Sequence, residues 1–329
     1  MTDETIPEQN PELNTEDLSP EIKKSPFETP VAPWKLFLKS PKGKLVVVLG
    51  ILVVLLGFLT KQVYARPVTD SLVRTVSQVI PYPALSVNSQ IVTMKEFLIE
   101  YDALMQYFGD AGEQTPPADQ LEMAIADTLI NKVVIQQLAD EYDVKLDADR
   151  VEAYFQDVLS AQESEEAFEQ SLEETFGWTS GEFKERIVQS IVLALQMTDV
   201  IFEDETLQQS RLDLIQGALS RLQTGEDFLS VADDVHAGFD GVQSDLGYIQ
   251  SSVIPEAWSE AVNALEVGQI TDIITLPEGY VIFKLEEKIP AGEDTQLRLF
   301  SITIPKKTLE EVVDTYLETA KVKRYVGQE

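Results

Sequence analysis

The sequence predicts an α+β chain of three unlike parts: a single transmembrane helix, a mostly helical domain, and a small domain of antiparallel sheet with surrounding helices. Three observations carry that expectation. An unbroken apolar run, Leu45 to Leu59, is flanked by Lys42, Lys44 and Lys61. Through the middle of the chain apolar residues recur at helical spacing, and after Asp245 short strand-like runs alternate with Gly and Pro turns. A chain of 329 residues with 44% hydrophobic composition can also bury substantial cores, and its length fits about two domains.

Composition removes several classes of chemistry. Cysteine is absent, which excludes disulfides, thiolate catalysis and cysteine-based metal sites. The one histidine, His236, is too little for a zinc site or a nucleophile-histidine-acid set, so no metal and no cofactor is expected. The net charge is −32; residues 1–30 carry −6 and residues 31–74 carry +6, so residues 75–329 hold the full −32. Such a surface repels phosphate backbones, and nucleic acid is not an expected partner.

Residues 1–33 are rich in Pro, Glu, Asp and Thr and read as a disordered acidic tail. Residues 34–66 form a juxtamembrane segment and the transmembrane helix. The apolar run is short, but lysines can snorkel and Thr60, Val63 and Tyr64 extend it, while Trp34 and Phe37 suit the headgroup level. Six lysines precede the span and only Lys61, Arg66 and Arg74 follow closely, which places the tail in the cytoplasm and the remainder outside. A signal peptide cut after Val63-Tyr64-Ala65 is the competing reading, disfavoured by the long leader. Residues 67–83 are expected to be a stalk that ends where Pro81 and Pro83 break any helix.

A helical domain is expected over 84–203. It opens with two short strands around an Asn88-Ser89 turn, and Thr93 with Glu96 forms a capping box for the first helix. Stripes follow at Leu121, Ile125, Leu129 and Val133, at Val151, Phe155 and Val158, and at Phe168, Leu172 and Phe176 before a Gly177 stop. Thr179 and Glu182 cap a last long helix. Most of these apolar positions are simply core.

The small domain is expected over 204–305. A helix from Leu207 to Leu222 precedes a short one at Phe228 to Ala232, a strand enters at Asp245, and Pro255 opens a helix carrying Trp258 and Leu265. Strands are expected at 270–276 and 280–286, with a further strand at 296–304. Residues 306–329 form a closing helix, capped by Thr308 and Glu311, that needs a packing partner. The helical domain is the expected one.

The order TGEDFLSVADD, then SDLGYIQSSVIPEAWSEAVNALEVGQITDIIT, then LPEGYVIFKLEE resembles the parvulin-type peptidyl-prolyl isomerase domain. The entry V-N-x-x-x-[IV]-[ST]-x-x-E-F at Val87 to Phe97 is similar to the chaperone domain of SurA, PrsA and PpiD-like foldases. The resemblance implies an apolar cup for a proline ring, here Leu246, Ile254 and Trp258, the last replacing a usual phenylalanine. It also implies a polar cluster of two histidines with a Cys or Asp. Val281 stands where the closing G-Y-H strand has histidine, and Asp240 is the nearest stand-in for the acid.

The family's usual first strand, R-x-x-H-I-L, is missing before the first helix. Either residues 296–304 supply it in permuted order, with Ser301 at the second histidine position, or they are only a strand leading to the last helix. The resemblance implies a membrane-anchored extracytoplasmic foldase that assists folding of exported proteins. Its partners would be unfolded or newly exported polypeptides with proline-containing segments. With both histidines replaced, the alternative is a non-catalytic chaperone or interaction protein.

Overall fold

The structure is a computed structural model that describes residues 40–110, 115–291 and 294–326. The expected acidic tail, Trp34 and Phe37 lie outside the described residues. The chain divides into two compact units between Lys61 and Gln62.

The first unit is dominated by α1 (Pro41–Tyr64), whose apolar residues cover every side rather than one stripe. Its stretch Lys44–Tyr64, 21 residues, is long and apolar enough to cross a membrane by length and composition. At ~1.5 Å per residue that is about the thickness of a bilayer's hydrocarbon core.

The last turn of α1 already belongs to the second unit. Val63 is only 1% exposed and shares a core with Val68 and Val73. The Tyr64 hydroxyl donates to the Pro83 carbonyl at 2.8 Å, and its ring meets those of Tyr82 and Tyr325 at 6.0 and 5.7 Å. Residues 67–83 therefore differ from a free stalk. Asp70 caps α2 (Ser71–Ser77) by accepting from the Leu72 amide, and Val73 is fully buried. A seven-residue helix shows too few turns for its apolar face to stand out as a stripe.

Beyond the prolines, β1 (Pro83–Val87) and β2 (Gln90–Thr93) form a hairpin around Asn88, whose φ of 54° suits the turn. The Thr93–Glu96 box starts α3 (Met94–Asp110), with the Thr93 amide donating to Glu96 at 2.7 Å. Then come α4 (Ala118–Glu141), α5 (Ala148–Ser160), α6 (Glu165–Phe176), α7 (Ser180–Phe183), a π-helical turn at Lys184–Val188, and α8 (Gln189–Glu203). Phe97, Ile125, Val133, Met197 and Ile201 sit in one core, while Phe155, Phe168, Leu172 and Val192 make a satellite core. Gly177 ends α6 in the left-handed region at φ 69°.

The C-terminal domain follows: α9 (Glu205–Gln223), α10 (Phe228–His236), β3 (Asp245–Gln250), α11 (Glu256–Asn263), β4 (Ile274–Leu276), β5 (Gly279–Ala291) and β6 (Asp294–Pro305). The four strands are antiparallel in the order β3-β6-β5-β4. Residues 296–304 thus lie at the centre of the sheet, between β3 and β5. Side-chain alternation gives the sheet two apolar faces. Tyr280, Ile282, Phe300 and Ile302 join α9 and α10, while Val281, Phe283, Leu297 and Leu299 join Ile254 and Val262.

The expected strand at 270–276 is interrupted. Ile270 makes a single bridge to Lys284, and the Thr271 hydroxyl accepts from the Phe283 amide at 3.0 Å, the place a strand carbonyl would otherwise take. Regular pairing resumes only at Ile274. Strand β5 runs past Glu286 to Ala291 because β6 pairs with it along that whole length. Gly279 is required here: a Cβ would stand 2.6 Å from the Ile304 carbonyl oxygen.

After β6 the chain returns to the helical core. Val312 and Val313 of α12 (Leu309–Thr319) join the first core, Tyr316 donates to Gln137 at 2.8 Å, and β7 (Val322–Arg324) pairs with β1. Gln208, 1% exposed, ties the chain's way out to its way back. Its amide donates to the carbonyls of Ile201 and Lys307 at 2.9 and 3.2 Å, and its oxygen accepts from the Lys307 amide at 2.8 Å.

Two outcomes are expected from denaturation of soluble fragments. A fragment beginning at Val79 lacks Val63, Val68 and Val73; at about 1.5–3 kcal/mol per fully buried side chain it should lose on the order of 5 kcal/mol relative to one beginning at Gln62. Equal urea midpoints would contradict the packing described. Gln208→Ala leaves the Ile201 carbonyl and the Lys307 carbonyl and amide without this partner and should cost about 1–3 kcal/mol.

Candidate functional site

One face of the four-stranded sheet carries the residues expected to form the cup. Strand β3 places Leu246, the 3₁₀ turn at Ser251–Val253 delivers Ile254, and α11 presents Trp258 one turn from its start. These three residues share a cluster with Val281, Phe283 and Leu299. Trp258 stacks on Phe283 with ring centroids 4.4 Å apart and planes 22° apart. Ile254 is buried, whereas Leu246 and Trp258 are half-buried, so the cluster is apolar and partly open to solvent. Phe283 is a member that the sequence pattern did not single out, because it reads as one more apolar residue of a buried strand.

The positions read as polar centre lie beside it. Val281 and Ser301 are each 2% exposed and project to the cup's face of the sheet. Across the β5–β6 ladder, however, Val281 faces Thr303, while Ser301 faces Phe283. Thr303 is the partner that sequence reasoning missed. A bulge between Leu285 and Glu287 shifts the register by one, and a hairpin counted from its tip passes over it. The Ser301 hydroxyl donates to the Gln243 carbonyl at 3.2 Å, and the Ser301 amide donates to Ser244 at 2.8 Å.

The expected acid is not brought in. Asp240 is exposed in the turn after α10 and makes no hydrogen bond or ion pair among the described residues. Asp245 lies on β3 but is engaged: it accepts from the Gly247 amide at 2.9 Å and pairs with Arg298 at 3.2 Å. The Gly247 amide, with help from Arg298, holds its carboxyl below the usual carboxylate range.

His236 has a structural position. Strand β3 begins at Asp245, so the outer edge of β6 beyond it has no strand partner, and the Thr303 amide donates instead to His236 Nε2 at 3.0 Å. An Nε2 that accepts carries no proton, so Nδ1–H donates to the Ser244 hydroxyl at 3.1 Å. Burial pushes the histidine pKa below its ordinary value, which keeps the ring neutral. Together these groups can bind and desolvate an apolar ring, and they supply neutral hydroxyls rather than a base near neutral pH. Among the described residues no group of His, Asp or Glu is placed to hold a metal ion.

Comparisons with known proteins locate the same region. Residues 200–295 match the PPIC-type PPIase domain, and the match ends as β6 begins. The chain is 26% identical to the chaperone SurA of Methylobacillus flagellatus, over 60% of this chain and 55% of that protein. A shorter stretch is 35% identical to the chaperone SurA of Hydrogenovibrio crunogenus, over 22% of this chain and 16% of the relative. The chain thus spans about half the length of the first of these relatives, and much less of the second. Among solved structures, the foldase protein PrsA of Lactococcus lactis aligns with 72% of this chain and 82% of its own, at 11% identity and a TM-score of 0.25.

The neutral His236 gives a pH prediction with a definite sign. Its folded pKa lies below the unfolded value of about 6.5, so the unfolded state binds the proton more readily. Stability should therefore fall as pH drops below about 6.5, down to the folded pKa. The difference in unfolding free energy between the parent and His236→Gln, whose amide oxygen can still accept from Thr303, isolates this contribution. A difference that does not change between pH 7.5 and 5 would contradict the assigned hydrogen bonds.

Proposed function

We propose that this chain, which carries a PPIC-type domain and is related to SurA chaperones, is a foldase of the parvulin family. It is held by α1 in the cytoplasmic membrane, with residues after Arg66 on the extracytoplasmic side. There it binds unfolded or newly exported polypeptides and takes their proline-containing segments into the cup. The observation that carries this reading is that Leu246, Ile254, Trp258 and Phe283 fall in one apolar cluster within the matched domain, with Leu246 and Trp258 only half-buried.

The cup's chemistry suits prolyl isomerisation without proton transfer. The barrier to X-Pro rotation, about 18–20 kcal/mol, comes from amide resonance. A twisted amide has lost the charge separation that resonance maintains, so an apolar environment favours it over the planar forms. No bond is made or broken, and no titratable group is required.

One observation supports a second reading, binding without isomerisation. The positions read as the two histidine sites carry Val281 and, if 296–304 stands for the family's first strand, Ser301, whose hydroxyl is already engaged by Gln243. Whatever stabilisation a polar cluster gives the rotating carbonyl is then missing, and each 1.4 kcal/mol lost is a factor of ten in rate.

A protease-coupled assay on a proline tetrapeptide, with residues 62–329, separates the two. Acceleration over the spontaneous rate that falls about tenfold or more in Trp258→Ala supports the isomerase, and Asp240→Asn should leave it unchanged. A rate equal to the spontaneous one, together with suppressed aggregation of an unfolded client, selects the holding reading. Failure of both assays overturns the proposal.

A further inference from the structure

Basic residues are scarce in the second unit, and one group of them is concentrated. Residues 75–329 hold sixteen Lys and Arg against forty-eight Asp and Glu, yet Lys321, Lys323 and Arg324 fall within four residues. They lie in and beside β7, whose pairing with β1 continues past both its ends: the Tyr325 amide donates to the Ala84 carbonyl at 2.9 Å, and the Lys321 amide to the Asn88 side-chain oxygen at 3.0 Å. Strand alternation then separates the side chains. Lys321, Lys323 and Tyr325 share one face and are all exposed, whereas Val322 and Arg324 turn the other way and are half-buried. Arg324 pairs there with Asp127 of α4.

This strip ends where the chain arrives from α1. The Tyr325 ring lies 5.7 Å from that of Tyr64, the last residue of the 21-residue apolar stretch. Whatever angle the body takes to that stretch, Tyr64 and its neighbours emerge at the surface of any bilayer the stretch crosses. Tyr325 is 39% exposed, and a tyrosine, with an apolar ring and a polar hydroxyl, suits the headgroup level. Lys323 and Lys321 follow at about 7 and 13 Å along the strand, so a lysine side chain and a Debye length of ~8–10 Å together reach the same surface. The other charges nearby are paired. Arg66 pairs with Asp70 and Arg74 with Asp102, while Lys321 and Lys323 make no ion pair among the described residues. Glu318, exposed at the end of α12, is the nearest carboxylate in sequence and is bonded to neither lysine.

We propose that Lys321, Lys323 and Tyr325 form a lipid-contact strip, which seats the body of the second unit on anionic phospholipid headgroups beside the point where α1 leaves the bilayer. Each lysine held near an anionic surface is worth about fivefold in association. On a body that is already tethered, two of them set orientation rather than attachment. The remaining surface is strongly acidic and is repelled by the same headgroups, so attraction of the strip and repulsion of the rest turn the body the same way. Lysines on an edge strand such as β7 also deter pairing with other chains, but that role needs neither lipid nor a place beside Tyr64. The inference rests on the reading of α1 as a membrane span and adds to it a lipid class and an orientation.

Because the chain has no cysteine, a bimane label on Thr319→Cys, two residues before Lys321, reports from the strip alone. The full chain is placed in phosphatidylcholine nanodiscs with or without about one-third phosphatidylglycerol, each containing a lipid with a nitroxide on its headgroup. Quenching of the label should be at least twofold stronger with the anionic lipid, and NaCl at about 0.5 M should remove the difference. Lys321→Gln combined with Lys323→Gln should remove it as well, and Lys321→Arg combined with Lys323→Arg should retain it. Lys288→Gln, at an exposed lysine of β5, should change nothing. If circular dichroism shows the glutamine pair to be misfolded, Lys323→Gln alone, expected to halve the difference, takes its place. Quenching indifferent to lipid charge, or a difference that survives the glutamine substitutions, overturns the strip. Alkaline carbonate keeps the two ideas apart. Extraction of the parent chain from membranes would overturn the span and this inference with it, whereas retention without a charge-dependent signal removes the strip and leaves the foldase reading standing.

Discussion

The C-terminal domain depends on one strand that the chain makes last. Strand β6 fills the centre of the sheet, pairs with β3 on one side and β5 on the other, and contributes apolar residues to both faces. Until Leu297, Leu299, Ile302 and Ile304 arrive, α9 and α10 have half a sheet to pack on, and the apolar cluster around Trp258 has only its β5 side. The PPIC-type match stops at residue 295, so the folded domain extends beyond the matched segment. A central strand placed after its neighbours requires that β3 and β5 leave a gap of one strand width. The long β5–β6 hairpin closes that gap with a local turn, which keeps the entropy of loop closure small.

The same ordering makes the two domains of the second unit interdependent. Helices α8 and α12 both contribute to the first core, and everything from α9 to β6 is inserted between them. The insertion leaves and returns at one point, where Gln208 bonds to both Ile201 and Lys307, and Arg211 pairs with Glu311 nearby. A buried amide satisfied on both its donor and acceptor sides fixes the geometry of such a crossing more sharply than apolar contact would. At the other end, β7 and Tyr325 join β1 and Tyr64, so the core is closed by residues from both ends of the unit.

What could be read in the sequence was local. The capping boxes at Thr93, Thr179 and Thr308 all form, because a box needs only residues three apart. The cup residues Leu246, Ile254 and Trp258 lie within one short stretch, and the helix and strand that hold them are contiguous. What could not be read involves distant pairings. Thr303 meets Val281 only through a register set by a bulge, and His236 meets Thr303 only because β3 starts late. Asp240, nearest in sequence to the place of an acid, stays in solvent for the same reason: the turn around Gly241 and the Ser244–Ser301 bond decide where that loop goes, and neither is visible in residue spacing. The anchoring of α2 in the core was hidden because one short helix has too few turns to show a period.

The charge of the second unit bears on how such a molecule stays dispersed. A protein that binds incompletely folded chains must keep apolar surface accessible, and accessible apolar surface drives self-association. Here Ile91 and Leu146 in the helical domain and Val253 in the C-terminal domain are exposed. Against this, residues 75–329 carry the entire net charge of −32, which repels other copies over a distance of about a Debye length, ~8–10 Å. A client is not held off in the same way unless it is also strongly acidic, and contact between apolar surfaces begins inside that range. The acidic surface therefore discriminates by net charge before the apolar surface discriminates by shape.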